Sequence, residues 1–141
     1  MTVIPFAPDP ETLVRQRIDA LHRGAFGFIY DSYHPDSPFR RHFPEREDYL
    51  AFARQEIAGR IHIERFRLLR SRKTQERAEL IVHQLVRAGG GFQESFERVV
   101  LLRHKGQWRY LGSSRLDRSQ YHGRIEDLDF EDFERRGVVF F

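Results

Sequence analysis

The chain of 141 residues contains no cysteine, which removes disulfides, thiolate nucleophiles and cysteine-ligated zinc together. That absence fits a reducing compartment, and a cytoplasmic location is the expectation. Long apolar runs are missing too. Nothing approaches the roughly 20 consecutive apolar residues of a membrane-spanning helix, so no membrane role is expected. The opening MTVIPFAPDPE has neither the basic nor the apolar stretch of a secretory leader. Lysine is nearly absent: only Lys73 and Lys105 stand among 24 basic residues, the rest being arginine. Arginine of this abundance serves phosphate or RNA contact, or simply covers solvated faces, and the second reading outweighs the first.

What is present is ordinary for a globular domain, 40% hydrophobic and 32% charged, and the length suits a single core. The net charge of +3 is unevenly spread. Glu126, Asp127, Asp129, Glu131, Asp132 and Glu134 crowd into one short stretch, so the remainder is strongly basic.

Residues 1–8 read as an extended leader. Asp9-Pro10-Glu11 is a helix start, with an N-cap carboxylate and proline in the first helical position. Val14, Ile18, Leu21 and Ala25 then recur at helical spacing. A second helix covers roughly 25–33 and stops near His34, because the residue before Pro35 is pushed out of the helical region. Pro44 opens a third, with Leu50, Ala53 and Ile57 facing inward and Gly59 ending it. Beyond it the pattern turns to strands at 61–72, 77–88, 92–104 and 107–115, with hairpin turns at Gly89-Gly90-Gly91 and Lys105-Gly106. Ile61 and Ile63 keep a phase that Phe66 and Leu68 do not share, which predicts a bulge near Glu64-Arg65. The second strand is apolar on both faces, Leu80 and Val82 on one, Ile81 and Leu85 on the other. Helices should cover one side and a partner subunit the other.

Helices followed by long antiparallel hairpins give an α+β fold, three N-terminal helices on a curved four-stranded sheet that wraps them into a cone with a cavity. Residues 1–117 form this domain and 118–141 an acidic, aromatic tail ending Val138-Val139-Phe140-Phe141. The order of elements resembles the nuclear transport factor 2-like superfamily, which has a cystatin-like fold. Two stretches carry a closer resemblance. Leu13 to Pro35 (LVRQRIDALHRGAFGFIYDSYHP) is similar to the opening helices of the YchJ-like domain often found beside SEC-C metal motifs. Its paired arginines fall on Arg15 and Arg17, and its aromatic-His-Pro on Tyr33, His34 and Pro35. Glu97 to Gly112 (ERVVLLRHKGQWRYLG) resembles the family's later strand and hairpin through Glu97, Arg98, Gly106, Trp108 and Tyr110. The cysteine-rich SEC-C motifs have no counterpart here, so the resemblance implies a fold and no reaction or cofactor.

Arg17 lies on the apolar stripe, three residues after Val14 and four before Leu21. A buried guanidinium needs an acid, and Glu97 or Glu94 is the expected partner; the alternative is a cation aimed into the pocket to bind an anion. Tyr30, Tyr33 and His34 are expected at the mouth of the cone, where His34 can act as acid or base near neutral pH, or can simply cap the helix. Glu97 and Tyr110 complete the pocket candidates. His22, His42, His62, His83, His104 and His122 show no metal-ligand spacing, and neither metal nor cofactor is expected. The basic segment 60–77 is either an RNA-binding hairpin or the solvent face of an edge strand kept from aggregating by its charges, the latter favoured. Leu128, Phe130 and Phe133 among the acids either clasp a partner or cap their own domain through a short helix at 129–136.

The sequence therefore favours a non-catalytic domain that binds a small ligand or serves assembly, homodimeric through the outer sheet face. A cofactor-independent acid–base enzyme, an isomerase or hydrolase using His34, Tyr33 and Glu97, is the alternative. An RNA-associated accessory protein is the second alternative, with nucleic acid the less favoured partner.

Overall fold

The computed structural model describes residues 9–134; the leader 1–8 and the apolar end Val138–Phe141 lie outside the described residues. Helix α1 (Pro10–Arg23) begins where the sequence places it: Asp9 Oδ1 accepts from the Thr12 N–H at 2.8 Å and Pro10 takes the first position. Its inner face centres on Leu13, Val14 and Ala20, all buried, whereas Ile18 and Leu21 are only partly covered because they border a cavity. Helix α2 (Phe26–Ser32) ends before Pro35 as expected.

Four helices, not three, precede the sheet. Ser37 Oγ accepts from the Arg40 N–H at 3.2 Å and Pro38 occupies the first position of a single-turn helix α3 (Pro38–His42). The Ser-Pro pair is a helix start of the same kind as Asp9-Pro10. Helix α4 (Arg46–Glu56) then begins two residues after Pro44, burying Tyr49, Leu50 and Ala53, with Ile57 as its C-cap.

Strands β1 (Ile61–Lys73), β2 (Arg77–Ala88), β3 (Gly91–His104) and β4 (Gln107–Asp117) form an antiparallel meander in the order β1-β2-β3-β4. Gly89 and Gly90 turn with φ of 58° and 78°, and Lys105 and Gly106 with 51° and 78°. Paired positive φ values match the right-handed strand twist, which is why glycine recurs there. The predicted bulge is present: β1 slips against β2 between Ile63 and Arg65, and again between Leu68 and Arg70. A further slip separates Val100 from Leu101 in β3. Such bulges bend a strand and increase its twist.

One sheet face, with Leu80, Val82, Val99, Leu101, Trp108 and Tyr110, packs on the helices. The other presents Ile81, Phe96 and Leu116 to Leu128, Phe130 and Phe133. The cover of this second face is thus the chain's own tail, where the sequence led us to expect a partner subunit. After β4 the tail runs through 3-10 turns at Arg118–Gln120 and Ile125–Asp127 to helix α5 (Glu131–Glu134), within the predicted 129–136, whose last two positions lie outside the described residues. The basic stripe of β1 is the exposed side of an edge strand, and two of its arginines hold the tail. Arg70 donates from Nε to the Leu128 carbonyl at 2.6 Å and from Nη2 to the Glu126 carbonyl at 3.1 Å. Arg72 lies 2.7 Å from the buried Glu79 and 3.6 Å from Glu134. Among the described residues no helix is long and apolar enough to cross a membrane.

Candidate functional site

Between the helices and the inner sheet face lies a cavity of about 410 Å³. Its orientation can be read along β2, whose inward residues Ala88, Val86, Gln84 and Val82 pass in that order from exposed to buried. The mouth is therefore at the end of the sheet near the β2–β3 turn, walled by Ile61, Ile63, Val86 and Ala88 opposite Leu21 and Ile57. The inner end gathers Arg17, Tyr33, Gln84, Glu97 and Tyr110. Apolar walls near solvent thus lead inward to the polar groups.

Arg17 does not form the expected ion pair; no carboxylate lies within ion-pair distance of it among the described residues. Its guanidinium sits 4.5 Å from the centre of the Tyr33 ring and 3.8 Å from that of Tyr110. Nη1 donates to the Ile29 carbonyl and to Ser32 Oγ, and Ser32 in turn donates to the same carbonyl at 2.6 Å. Two aromatic faces, the Ile29 carbonyl near the end of α2 and the Ser32 hydroxyl replace the carboxylate. Glu94, the other partner considered, is on the opposite sheet face, 2.6 Å from His83.

Glu97 is paired in register with Val82 on β2 and with Arg115 on β4. Its side chain keeps some surface on the cavity but is otherwise enclosed. Desolvation pushes its carboxyl above the ordinary range, outweighing the opposing pull of Arg115, the bond from Gln84 and the charge of Arg17. Burial, reinforced by Glu97, likewise raises the Tyr110 phenol, and burial pushes Tyr49 up to about 12. The inner end therefore holds the Arg17 cation near a carboxyl whose proton is retained to higher pH than usual.

A sign follows for stability. Because the folded form raises the Glu97 pKa above its ordinary 4.5, ionisation opposes folding. The cost is absent below that value and grows as pH rises through the folded pKa. Glu97→Gln should therefore raise the melting temperature at about pH 8 and leave it nearly unchanged at about pH 4. Equal shifts at both pH values would show that the carboxyl is ionised without penalty.

At the mouth, His22 of α1 stacks on His62 of β1 with ring centres 4.0 Å apart, and its Nε2 accepts from the Ile63 N–H at 3.0 Å. Burial and then His62 hold His22 below 6.5, against Asp19 and Glu64. Protonation of His22 removes the acceptor. The contact is present above 6.5 and lost as pH falls through the folded value. Hydrogen exchange at the Ile63 amide, corrected for its intrinsic rate, should lose protection on acidification. Constant protection from about pH 7 to about pH 5 would contradict this.

Of the candidates named from the sequence, the structure brings Arg17, Tyr33, Glu97 and Tyr110 together and places two elsewhere. Tyr30 does not line the cavity; its hydroxyl donates to the Phe43 carbonyl at 2.7 Å and its ring lies under Arg40. His34 is also outside. Its backbone N–H donates to the Tyr110 carbonyl at 2.8 Å, and its Nδ1 accepts from Asp36 N at 3.0 Å. The trio His34, Tyr33 and Glu97 is therefore not one catalytic group, because Pro35 turns the chain out after Tyr33 and sends the His34 ring toward His104, 5.2 Å away. The sequence reading missed Gln84, Tyr49 and Arg115. Gln84 was visible as the one polar residue in the inward series Leu80, Val82, Gln84, Val86. Arg115 needed the β3–β4 register, which the Val100/Leu101 slip displaces.

Helices against one face of a four-stranded antiparallel meander, with a cavity between, define the nuclear transport factor 2-like class with its cystatin-like fold. The chain belongs to the YchJ middle NTF2-like domain family, whose model matches residues 9–113. It is similar to the solution structure of a SEC-C motif containing protein from Rhodopseudomonas palustris, with a TM-score of 0.62 and 23% identity, over 80% of this chain and 83% of that one. It also resembles the crystal structure of a domain of unknown function with a cystatin-like fold from Nostoc punctiforme, with a TM-score of 0.54 and 17% identity, over 84% of this chain and 75% of that one. No curated protein matches the sequence.

Proposed function

We propose that the domain binds a small organic molecule in the cavity between α1 and the inner sheet face. One observation carries this reading: an arginine and a glutamate sit side by side at the inner end of a largely apolar cavity without forming an ion pair. Packing alone favours apolar side chains at such a position, since buried ionisable groups are costly unless they are paired. Retaining both beside open space is what a ligand with a polar end requires. The test is mass spectrometry of the purified protein, native and then denatured. The expected result is a native species heavier than the chain by a small-molecule mass that disappears on denaturation. A species that stays free of small molecules after exposure to a metabolite extract would count against binding.

A second reading, acid–base catalysis, draws on a different observation. A carboxyl held above its ordinary range keeps its proton to higher pH than usual and is suited to act as a general acid, and Glu97 faces the cavity beside Tyr110. It loses His34 from its machinery and rests on Glu97. Turnover of a bound compound, abolished by Glu97→Gln while the compound still binds, would establish it. The RNA reading has no comparable support, since Arg70 and Arg72 of the basic stripe are engaged with the tail. For a homodimer through the outer face, apolar residues that the tail does not pack, Leu85, Phe92 and Leu102 among them, remain on that surface, and the same native spectrum reads the oligomeric state.

A further inference from the structure

The hydrogen bonds of Arg17 leave one edge of its guanidinium unused. Nη1 carries two hydrogens, and its two acceptors are the Ile29 carbonyl and Ser32 Oγ. The two faces of the group are covered by Tyr33 and Tyr110. Nε and Nη2 hydrogen-bond to no described residue, and neither belongs to the buried, partnerless atoms of the described side chains. Since Arg17 lines the cavity, this edge opens onto it. Parallel N–H groups at Nε and Nη2 are the fork that takes a carboxylate through two hydrogen bonds at once. The protein's own nearby carboxyl does not use it: among the described residues Glu97 forms no ion pair with Arg17, and Arg115 is its cross-strand neighbour.

Resting on the reading that the cavity binds a small molecule, we propose that its ligand is an amphipathic organic monoanion, its carboxylate seated on the Nε–Nη2 edge of Arg17 and its apolar body lying toward the Ile61–Ile63–Val86 mouth. The apolar walls argue for a single charge, because the other arginine of the lining, Arg115, is solvent-exposed and paired with Asp117, so a second anionic group would go uncompensated inside. The position of Glu97 supplies the coupling. An ionised Glu97 would repel the incoming anion, whereas a protonated one can donate to it, and burial already favours the protonated form. Binding therefore takes up a proton, and affinity increases as pH falls toward the Glu97 pKa, then levels off. The other groups facing Glu97 are Arg17 on α1, Tyr33 after α2, Tyr49 on α4, Gln84 on β2, and Tyr110 and Arg115 on β4. Tyr49 and Tyr110 stay neutral over this range, their phenols being raised by burial.

The test is calorimetric titration of the full chain with 4-phenylbutanoate and with its uncharged amide, at about pH 6 and about pH 8, in buffers of different ionisation enthalpy. The acid should bind about tenfold or more tighter than the amide and take up protons at the higher pH. Arg17→Gln should abolish that preference. Arg17→Lys, which keeps the charge and stem, should lose most of it; circular dichroism verifies the fold of both. Glu97→Gln should keep the preference and lose the proton uptake. Equal binding of acid and amide overturns the anionic head group while leaving cavity binding intact. A preference that survives both Arg17 substitutions overturns the assignment to Arg17. Failure of both probes to bind also counts against the proposal, and a native mass spectrum with a departing small molecule then separates that failure from failure of the cavity reading.

Discussion

Replacing Phe133 with alanine should lower stability by about 3–5 kcal/mol and make the outer sheet face adhesive. Phe133 is 1% exposed and packs with Leu128 and Phe130 against Ile81, Phe96 and Leu116. Among the described residues the tail holds only 3-10 turns and the helical turn Glu131–Glu134, which have little stability of their own, so the ring and its neighbours fasten the tail. The ion pairs from Glu134 to Arg72 and Arg98 are loose, at 3.6 and 3.9 Å, with Glu134 half exposed. Pairs of that kind contribute little. With total stabilities near 5–15 kcal/mol, the loss should appear as a large drop in the urea midpoint, with increased binding of a hydrophobic dye. Phe92, 66% exposed, is the control, and its alanine variant should stay within about 0.5 kcal/mol. Equal effects at the two sites would mean that the tail does not stabilise the sheet.

Arg17→Ala should cost about 2–4 kcal/mol, the loss of two aromatic contacts and two hydrogen bonds from a charged group. The cost is limited because Ser32 keeps its bond to the Ile29 carbonyl at 2.6 Å. It should also depend on pH. The Arg17 charge lowers the Glu97 pKa, so removing it raises that pKa further and deepens the penalty for ionising Glu97. The variant should therefore be more destabilised at about pH 8 than at about pH 4. Combining it with Glu97→Gln should remove the pH dependence but leave the loss of packing. A midpoint unchanged by Arg17→Ala would remove the stacking account altogether. A loss that does not vary with pH would uncouple the two residues.

The order of elements was legible because its signals are local. Asp9-Pro10, the glycine turns and the phase change from Ile63 to Phe66 each act within a few residues, and each is found where the sequence puts it. Helix α3 was missed although Ser37-Pro38 carries the same chemistry as Asp9-Pro10, since one turn is too short to show a period. The apolar phases of β2 correctly called for two covers, but sequence cannot say whether the second is a partner or the same chain. The cavity was half visible. Arg17 stood out as a charge on an apolar stripe, yet its companions are aromatic faces and a helix-end carbonyl, and such acceptors leave no mark in residue spacing. His34 was grouped with Tyr33 by adjacency, whereas successive residues in an extended stretch point to opposite sides.

Strand order β1-β2-β3-β4 also bears on how the chain reaches this state during synthesis. Every sheet pairing joins neighbours in sequence, so each hairpin closes over a short loop and the sheet can grow one strand at a time. The helices emerge first and are waiting for the inner face. The outer face has no such preparation, because Leu128, Phe130 and Phe133 follow the last strand by more than ten residues. For that interval a nascent chain shows Ile81, Phe96 and Leu116 uncovered. The arginines along the free edge of β1, where one sheet would otherwise add to another, are the protection available while the chain waits for its own tail.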